Sequence, residues 1–189
     1  SMTFTSSSPD FIRASADKDT PRATAAAHGV PVSPCLDAIV ADAVEGLKVA
    51  KEVGFPVMIK ATAGGGGRGM RPAMTEDEFK SQFQAASKEA EACFNNGDCY
   101  IEKLVLEPHH IEFQVLADDH GNYFHLGERD CSMQRRNQKI IEECPSPLIS
   151  PEMRERMGEA SVRLIESISY RNAGTIEYLV NADATDFYF

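Results

Sequence analysis

The sequence predicts an α/β (α+β) fold in two lobes, the second of which contains a mostly antiparallel sheet. Helix and strand patterns alternate between residues 42 and 105. Residues 109–129 then have the period-two pattern of a hairpin, and a long amphipathic helix and another strand follow by residue 180. Alternating helices and strands are typical of an α/β unit, whereas neighbouring strands are typical of an antiparallel sheet.

Capping patterns predict three helices in the first half of the chain. A Thr or Asp before a helix accepts hydrogen bonds from its free N–H groups, and a left-handed residue such as glycine often follows its end. The expected starts and ends are Thr20 with Gly29, Asp42 with Gly54, and Thr75 with a turn at Asn95. Strands are expected at 57–59 and 99–105, on either side of the third helix.

Beyond Pro108 the pattern changes to that of a sheet. Residues 109–117 alternate apolar and polar side chains, 118–122 form a turn, and 123–129 run back. Residues 129–139 are charged and have no clear periodicity, and a short strand is expected at 140–141. Ser150 is expected to cap a helix, and strands follow at 174–180 and from 187.

This pattern divides the chain into three parts. We expect residues 1–30 to be a leading segment and a linker helix from a missing N-terminal domain. Residues 31–105 form the first lobe, and residues 106–189 form the N-terminal part of an incomplete second lobe. The chain ends in three aromatic residues, whereas natural termini are usually polar. We therefore expect a truncated piece of a longer protein.

The composition limits which cellular compartments and which classes of partner we expect. The net charge is −10, so no overall positive surface favours nucleic acid. The sequence has no apolar run of the ~20 residues that a membrane helix needs and no secretory signal pattern. Its five cysteines form no C-x-x-C pair, which predicts free thiols in a cytosol-like compartment. We expect a protein that is not secreted and binds neither membrane nor nucleic acid.

A glycine-rich stretch follows the first predicted strand. Lys60 ends the apolar run, and four consecutive glycines begin at Gly64. Backbone N–H groups there can bind an anion, and the lysine adds positive charge. In a P-loop the lysine follows the glycines, and in a Rossmann fold a helix opens directly from them. Neither holds here, so we expect the glycines to join two strands. A flexible hairpin tip without a ligand is the alternative.

A resemblance to a known family rests on this stretch together with residues 128–139. Their sequences are Lys-Ala-Thr-Ala-Gly-Gly-Gly-Gly-Arg-Gly-Met and Glu-Arg-Asp-Cys-Ser-Met-Gln-Arg-Arg-Asn-Gln-Lys. The pair resembles the biotin carboxylase family of ATP-grasp ligases, and further matches at 101–103, 110–112 and 174–177 follow in family order. Asn137 and the run 111–114 most resemble the plastid and cyanobacterial acetyl-CoA carboxylase subunit.

The resemblance implies an ATP-grasp fold and an ATP-driven ligase reaction. In this family bicarbonate attacks the γ-phosphate of ATP, and the carboxyl group of the resulting carboxyphosphate moves to biotin on a carrier protein. The expected cofactors are ATP and Mg²⁺, with Mn²⁺ as an alternative. The expected partners are a biotin carboxyl carrier, a carboxyltransferase and a second subunit in a homodimer. The implied setting is fatty acid biosynthesis in a cytoplasm or plastid stroma.

The resemblance also implies the residues that bind the nucleotide. Lys18 and Lys60 are expected at the phosphates, and the glycine-rich lid over them comprises Gly64, Gly65, Gly66, Gly67, Gly69 and Met70. Glu102, the Lys103 backbone and Val105 are expected at the nucleotide base, and His110 at the ribose. Gln134 is expected near the phosphates and bicarbonate, and Asn137 is expected to assist on the nucleotide side.

Two further residues carry the chemistry that the resemblance implies. Lys139 is expected near the phosphates and bicarbonate as the catalytic residue, and Glu177 is expected to bind Mg²⁺, which takes carboxylate oxygens. Each residue also has a plainer interpretation. Glu102 and Glu177 could lie on the wet face of a strand, and Arg129 could belong to a solvated charge cluster.

Other functions stay open at this point. A second metal-binding glutamate and a bicarbonate-binding arginine of the family have no counterpart in the chain. We therefore expect this fragment alone to be inactive, or to be a non-catalytic ATP-binding piece. The biotin carboxylase domain of another acyl-CoA, pyruvate or urea carboxylase is a further alternative. A carbamoyl phosphate synthetase fits the glycines but fits residues 133–136 poorly.

Overall fold

The computed structural model describes residues 19–35, 38–62, 69–135 and 138–189. They form two compact units. One comprises Ser33–Val105, and the other comprises the described residues up to Val32 together with Leu106–Phe189. In the described part of the chain, no helix has both the length and the apolarity needed to cross a bilayer.

The smaller unit packs two helices against a three-stranded antiparallel sheet. Its elements in chain order are α2 (Ala43–Val53), β1 (Val57–Ala61), β2 (Met70–Ala73), α3 (Glu76–Phe94) and β3 (Cys99–Lys103). The strand order is β2-β1-β3. Alternate residues of β1 are buried, and the core they enter also contains Phe79 and Phe83 of α3. This packing directs the other face of β1, with Lys60, away from the apolar core.

The helix caps of this unit are those that the sequence predicted, with one exception. Asp42 accepts hydrogen bonds from the N–H groups of Val44 and Glu45 and so caps α2 as predicted. The Thr75 side chain makes no capping bond; instead Glu78 accepts from the N–H of Met74 at 3.0 Å. The carboxylate therefore satisfies a backbone donor just before the helix.

The glycine-rich stretch joins two antiparallel strands, as the sequence predicted. The N–H of Ala61 donates to the oxygen of Gly69 at 2.8 Å, and β1 and β2 pair from there onward. Gly69 has φ +70, and a Cβ on it would lie 2.8 Å from Cβ of Ala61. Glycine is therefore required where the second strand begins. Gly64, Gly65, Gly66 and Gly67 lie outside the described residues.

The larger unit is built on a five-stranded antiparallel sheet. Its elements are α1 (Asp19–Ala27), β4 (His109–Ala117), β5 (Tyr123–Arg135), β6 (Gln138–Glu143), α4 (Pro151–Ser167), β7 (Asn172–Val180) and β8 (Phe187–Tyr188). The strand order is β6-β5-β4-β7-β8. Ala25 of α1 and Val30 lie in the same apolar core as Met153 and Met157 of α4.

The two faces of this sheet differ in chemistry because the side chains of β4 alternate. Ile111 and Phe113 enter the core with α4, whose N-terminus is capped by Ser150. Glu112 and Gln114 point to the opposite face, where they bind Arg129 of β5. This second face is called the polar face below.

Two sequence expectations about elements are wrong. Helix α1 begins at Asp19, so Thr20 lies within it and is not its cap. Residues 129–135 continue strand β5, where we expected a stretch without periodicity, and the short strand expected at 140–141 is part of the longer β6, Gln138–Glu143. Register shifts between Asp130, Met133 and Gln134 interrupt the alternation, and this is why the period-two signal is absent from the sequence.

Candidate functional site

In the smaller unit, Lys60 and Glu102 form an ion pair on the sheet. Lys60 faces Tyr100 and Met58 faces Glu102, so the two charged side chains lie diagonally on one face of the paired strands. Nζ of Lys60 is 2.5 Å from Oε2 of Glu102, and the side chains are only 24% and 10% exposed. The pair gives the largely buried side chain of Lys60 an oppositely charged partner on this face of the sheet.

The end of β3 determines which backbone donors are free. The N–H of Lys103 donates to the oxygen of Pro34 at 2.8 Å, and that of Leu104 donates to Pro56 at 3.1 Å. The Lys103 ammonium binds the carbonyls of Gly54 and Phe55. Among the described residues, Val105 is the first after β3 whose N–H makes no backbone hydrogen bond. The donor that we expected from the Lys103 backbone is thus already engaged, and Val105 offers the next one.

On the polar face of the larger unit, Glu112 lies between two cations. Arg129 donates through Nε to Oε1 at 2.6 Å, and the Lys139 ammonium contacts Oε2. Burial alone would raise the pKa of Glu112, but the hydrogen bonds from Lys139 and Arg129 outweigh it and lower that pKa below its usual value. Glu112 is therefore an anion that fixes both side chains.

Lys139 also binds the predicted metal ligand. Its Nζ is 2.8 Å from Oε1 of Glu177. Burial opposes the charge on Lys139, but the bonds to Glu112 and Glu177 raise its pKa above the usual lysine value. The contact with His110 and the bond from Lys139 both lower the pKa of Glu177, while burial raises it. The net result is a pKa of about 2. Both groups are charged at neutral pH.

His110 lies next to this pair, and both of its ring nitrogens face side chains of the protein. Nδ1 is 2.6 Å from the amide nitrogen of Gln134, and Nε2 is 3.5 Å from Oε2 of Glu177. The resemblance implied a ribose contact for His110. In this structure both nitrogens already face protein groups.

The carboxylate oxygens of Glu177 are suitable ligands for Mg²⁺. This ion is usually held by one or two carboxylates together with substrate phosphates and waters. Glu177 is ionised and about half exposed, so its oxygens can be reached from solvent. A carboxylate has about four acceptor positions, so the bonds to Lys139 and His110 leave room for a further partner.

A second group of possible ligands does not fit a metal. Side-chain ligand atoms of Glu112, Cys131 and Glu142 lie within 4.8 Å of one another. However, Lys139 and Arg129 already neutralise Glu112. Burial raises the pKa of the Cys131 thiol to about 11, so it carries no charge to offer a cation. We assign no metal to this group.

The structure thus brings together four of the predicted residues on the polar face: His110, Gln134, Lys139 and Glu177. Lys60 and Glu102 are paired in the smaller unit, where Met70 begins β2. Lys18 and Asn137 lie outside the described residues. Sequence reasoning missed Glu112 as the anchor of Lys139. Its position between Ile111 and Phe113 in the alternating strand pattern indicated the face opposite the core, but its partners Arg129 and Lys139 lie on other strands.

Comparison with known proteins identifies the family. The family model described as "Carbamoyl-phosphate synthase L chain, ATP binding domain" matches residues 17–189. The chain is 52% identical to the biotin carboxylase of Nostoc sp. over 188 residues, which is 100% of the chain and 42% of that protein. The chloroplastic biotin carboxylase of Arabidopsis thaliana is 52% identical, with 100% and 35% covered. The chain therefore spans less than half the length of these relatives.

Solved structures agree with the sequence match. A biotin carboxylase–beta-gamma-ATP complex from Campylobacter jejuni has a TM-score of 0.85 at 45% identity, with 92% of this chain and 39% of that chain covered. The biotin carboxylase domain of Hydrogenobacter thermophilus 2-oxoglutarate carboxylase has a TM-score of 0.90 at 44% identity, with 100% and 41% covered. The expected ATP-grasp fold is confirmed. The chain thus belongs to the carbamoyl-phosphate synthase L chain ATP-binding domain family, and the relatives and structures to which it is similar are biotin carboxylases.

Proposed function

We propose that this chain is the ATP-binding core of a biotin carboxylase, which uses ATP and bicarbonate to carboxylate biotin on a carrier protein. The observation that carries the proposal is Lys139, a fixed cation shared between a buried anchor, Glu112, and an accessible carboxylate, Glu177. The family model also covers carbamoyl-phosphate synthases. The relatives and structures described above are biotin carboxylases, which favours biotin as the acceptor.

The chemistry that these residues can perform is positioning and electrostatic stabilisation, as in phosphoryl transfer generally. The raised pKa of Lys139 keeps it protonated, so it acts as a cation toward bicarbonate and the transferring phosphoryl group rather than as a base. We assign Lys60 to a phosphate of ATP. A unit charge pair at about 4 Å is worth roughly 4 kcal/mol at an effective dielectric of about 20.

The remaining nucleotide contacts stay proposals. We assign the N–H of Val105 and the carboxylate of Glu102 to the base, and Gly69 and Met70, with Gly64, Gly65, Gly66 and Gly67, to the phosphates. We also assign Lys18 and Asn137 to the nucleotide. Support comes from the family match and from the bonds that occupy the N–H groups of Lys103 and Leu104.

We assign Glu177 to Mg²⁺, which when bound would neutralise charge on the phosphates of ATP. Support comes from the ionised, half-exposed carboxylate described above. The Hydrogenobacter thermophilus domain, a dimer, was solved with MgADP and bicarbonate, which also supports a magnesium-dependent reaction. That dimer favours a homodimer for the protein that carries this chain.

Among the compounds that could finally receive the carboxyl group from biotin, we favour acetyl-CoA. This choice implies fatty acid biosynthesis with a carrier protein and a carboxyltransferase. Identity to the cyanobacterial and chloroplastic proteins is 52%, compared with 49% to a pyruvate carboxylase subunit and 46% to a putative urea carboxylase. The chloroplastic relatives and the five free cysteines favour a plastid stroma or cytoplasm. We retain pyruvate and urea carboxylases as alternatives because the differences in identity are small.

The first test is bicarbonate-dependent ATP cleavage by the full-length protein that carries this chain. Lys139→Ala should lower the rate by at least about 100-fold, because removing one electrostatic partner of a reacting centre has that order of effect. Lys51→Ala is the matched control, since Lys51 is exposed and pairs only with Glu76 in the described chain. Equal rates for the wild type and Lys139→Ala would refute the role of Lys139.

A further inference from the structure

The start of strand β2 is bound to helix α3 through the main chain of Gly69. The N–H of Ala61 donates to the oxygen of Gly69 at 2.8 Å, and facing residues of an antiparallel pair often exchange a second bond of this kind. Gly69, however, has φ +70 and departs from strand geometry. In the described chain its N–H donates instead to Oε2 of Glu89 at 3.3 Å. Glu89 thus satisfies a buried backbone donor that the facing strand does not.

Glu89 is itself held by a charged partner on β2. Nη2 of Arg71 is 3.0 Å from the same Oε2, and the two side chains are 41% and 31% exposed. An ion pair this exposed adds little to stability by itself. It does direct the carboxylate, because the oxygen that binds Arg71 is also the acceptor for Gly69. One oxygen on α3 therefore binds the main chain of residue 69 and the side chain of residue 71.

The other end of the glycine-rich stretch is bound to the turn that follows α3. The N–H of Thr62 donates to the oxygen of Asp98 at 2.9 Å. The side-chain amide of Asn96 donates to Oγ1 of Thr62 at 3.4 Å. Glu89 lies in the last turns of α3, and Asp98 lies just beyond its end. Residues 89–98, called the α3 end segment below, therefore bind both residues that flank 63–68.

The turn within the α3 end segment is fixed to the helix by its own hydrogen bonds. Oγ of Ser87 donates to the oxygen of Gly97 at 2.8 Å, and Oδ1 of Asn96 accepts the N–H of Asp98 at 2.8 Å. A Cβ on Gly97 would lie 2.8 Å from Oγ of Ser87, so the turn also packs closely against α3. These contacts hold the acceptor for Thr62 in place relative to the acceptor for Gly69.

We propose that Glu89 is a positioning residue for the phosphates of ATP: through the N–H of Gly69 it sets the direction in which the chain passes into Met70. The inference rests on the proposed function, because Gly69 and Met70 are assigned there to the phosphates. A carboxylate only accepts hydrogen bonds and so cannot bind a phosphate directly. The effect of Glu89 on ATP must therefore pass through the main chain that it holds. A binding segment that is already oriented loses less entropy when its ligand binds.

Two variants of Glu89 separate its acceptor oxygen from its charge. Glu89→Gln keeps an oxygen that can accept from Gly69 but removes the ion pair with Arg71, whereas Glu89→Ala removes both. Glu91→Ala is the matched control, because Glu91 is exposed on the same helix and its loss changes the charge by the same amount. Any effect of the acceptor should appear in Glu89→Ala alone.

Hydrogen exchange of the Gly69 amide tests the contact with Glu89 without any catalysis. Mass spectrometry with fragmentation to single residues can follow this amide in the full-length protein that carries this chain, without nucleotide. Glu89→Ala should speed the exchange about tenfold, because a hydrogen bond to a charged acceptor is worth about that factor. Glu89→Gln and Glu91→Ala should stay within about threefold of the wild type. Exchange that is as slow in Glu89→Ala as in the wild type overturns the proposal.

Binding of a non-hydrolysable ATP analogue with Mg²⁺ links the same contact to the phosphates. Its Kd for the full-length protein should rise about tenfold in Glu89→Ala and return to within about threefold of the wild type in Glu89→Gln, which restores the acceptor. A Kd that is unchanged in Glu89→Ala, or equally raised in both variants, overturns the positioning role. Neither measurement involves biotin or bicarbonate, so a failure to carboxylate biotin would contradict the proposed function and not this inference.

Discussion

At the scale of single residues, the polar face depends on one buried carboxylate that has two cationic partners. Glu112 is 5% exposed and holds both Arg129 and Lys139. Alternation along β4 correctly placed Glu112 opposite the core, but alternation alone predicts a solvated side chain there. The long side chains of Arg129 and Lys139 cover it instead. This contact lies between strands and could not be inferred from spacing along one strand.

A second buried carboxylate, Glu128, should make the stability of the larger unit sensitive to acid. Its side chain is 1% exposed, and Nε of Arg154 lies 2.8 Å from each carboxylate oxygen. Burial raises its pKa, but the hydrogen bond from Arg154 outweighs burial, so the folded pKa lies below the ordinary value of 4.5. The folded state therefore binds fewer protons than the unfolded state as pH falls through this range.

The stabilisation from Glu128 should thus be fully present above about pH 5 and be lost as pH falls through the folded pKa. Glu128→Gln should lower the free energy of unfolding by about 3 kcal/mol at neutral pH, because it leaves Arg154 without its anion. It should also make the free energy of unfolding less dependent on pH in the acid range. Urea unfolding of both chains between about pH 7 and about pH 3 measures this. Glu159→Gln, at an exposed pair, is the control. Parallel pH profiles for wild type and Glu128→Gln would argue against this account.

At the scale of elements, the clearest sequence signals were those with a local cause. The caps at Asp42 and Ser150 and the hairpin of β4 and β5 depend on neighbours a few residues away, and the structure has all of them. Strand β5 beyond Arg129 was missed because register shifts break its alternation. Those same shifts bring Gln134 to His110, so the irregularity that hid the strand also builds the polar face.

The start of β2 offers a test of how tightly the glycine-rich stretch is anchored. Gly69→Ala forces a side chain into positive φ and brings its Cβ to 2.8 Å from Cβ of Ala61, a methyl group that cannot rotate away. We expect a loss of about 2–3 kcal/mol in the free energy of unfolding, of which about 1 kcal/mol is due to the backbone conformation.

Gly29→Ala separates the two contributions to that loss. Gly29 has φ +69, but no atom lies within 4 Å of an added Cβ. Gly29→Ala should lower the free energy of unfolding by only about 1 kcal/mol, as expected for a residue with a Cβ in the left-handed region. Urea unfolding of both variants gives the comparison. Equal losses for the two would mean that the contact between Gly69 and Ala61 is unimportant.

At the scale of the whole molecule, the fold class could be predicted from the periodicity of apolar residues. The residues of the candidate site could be predicted only from the resemblance to a known family. No spacing rule joins Lys60 to Glu102, or Lys139 to Glu177, because each pair is brought together by strand pairing between distant segments. The resemblance named these residues, and the structure added their partners. It also shows that the N–H of Lys103 is engaged by Pro34, whereas among the described residues the N–H of Val105, also expected at the base, makes no backbone hydrogen bond.

The central claim is that the parent protein transfers a carboxyl group from bicarbonate to biotin. The most direct measurement is incorporation of ¹⁴C from labelled bicarbonate into biotin by the full-length protein, with MgATP present or absent. We predict ATP-dependent labelling of biotin that Lys139→Ala abolishes and Lys51→Ala does not. ATP cleavage that depends on bicarbonate but delivers the label to ammonia instead of biotin would contradict the account and favour the carbamoyl-phosphate branch of the family.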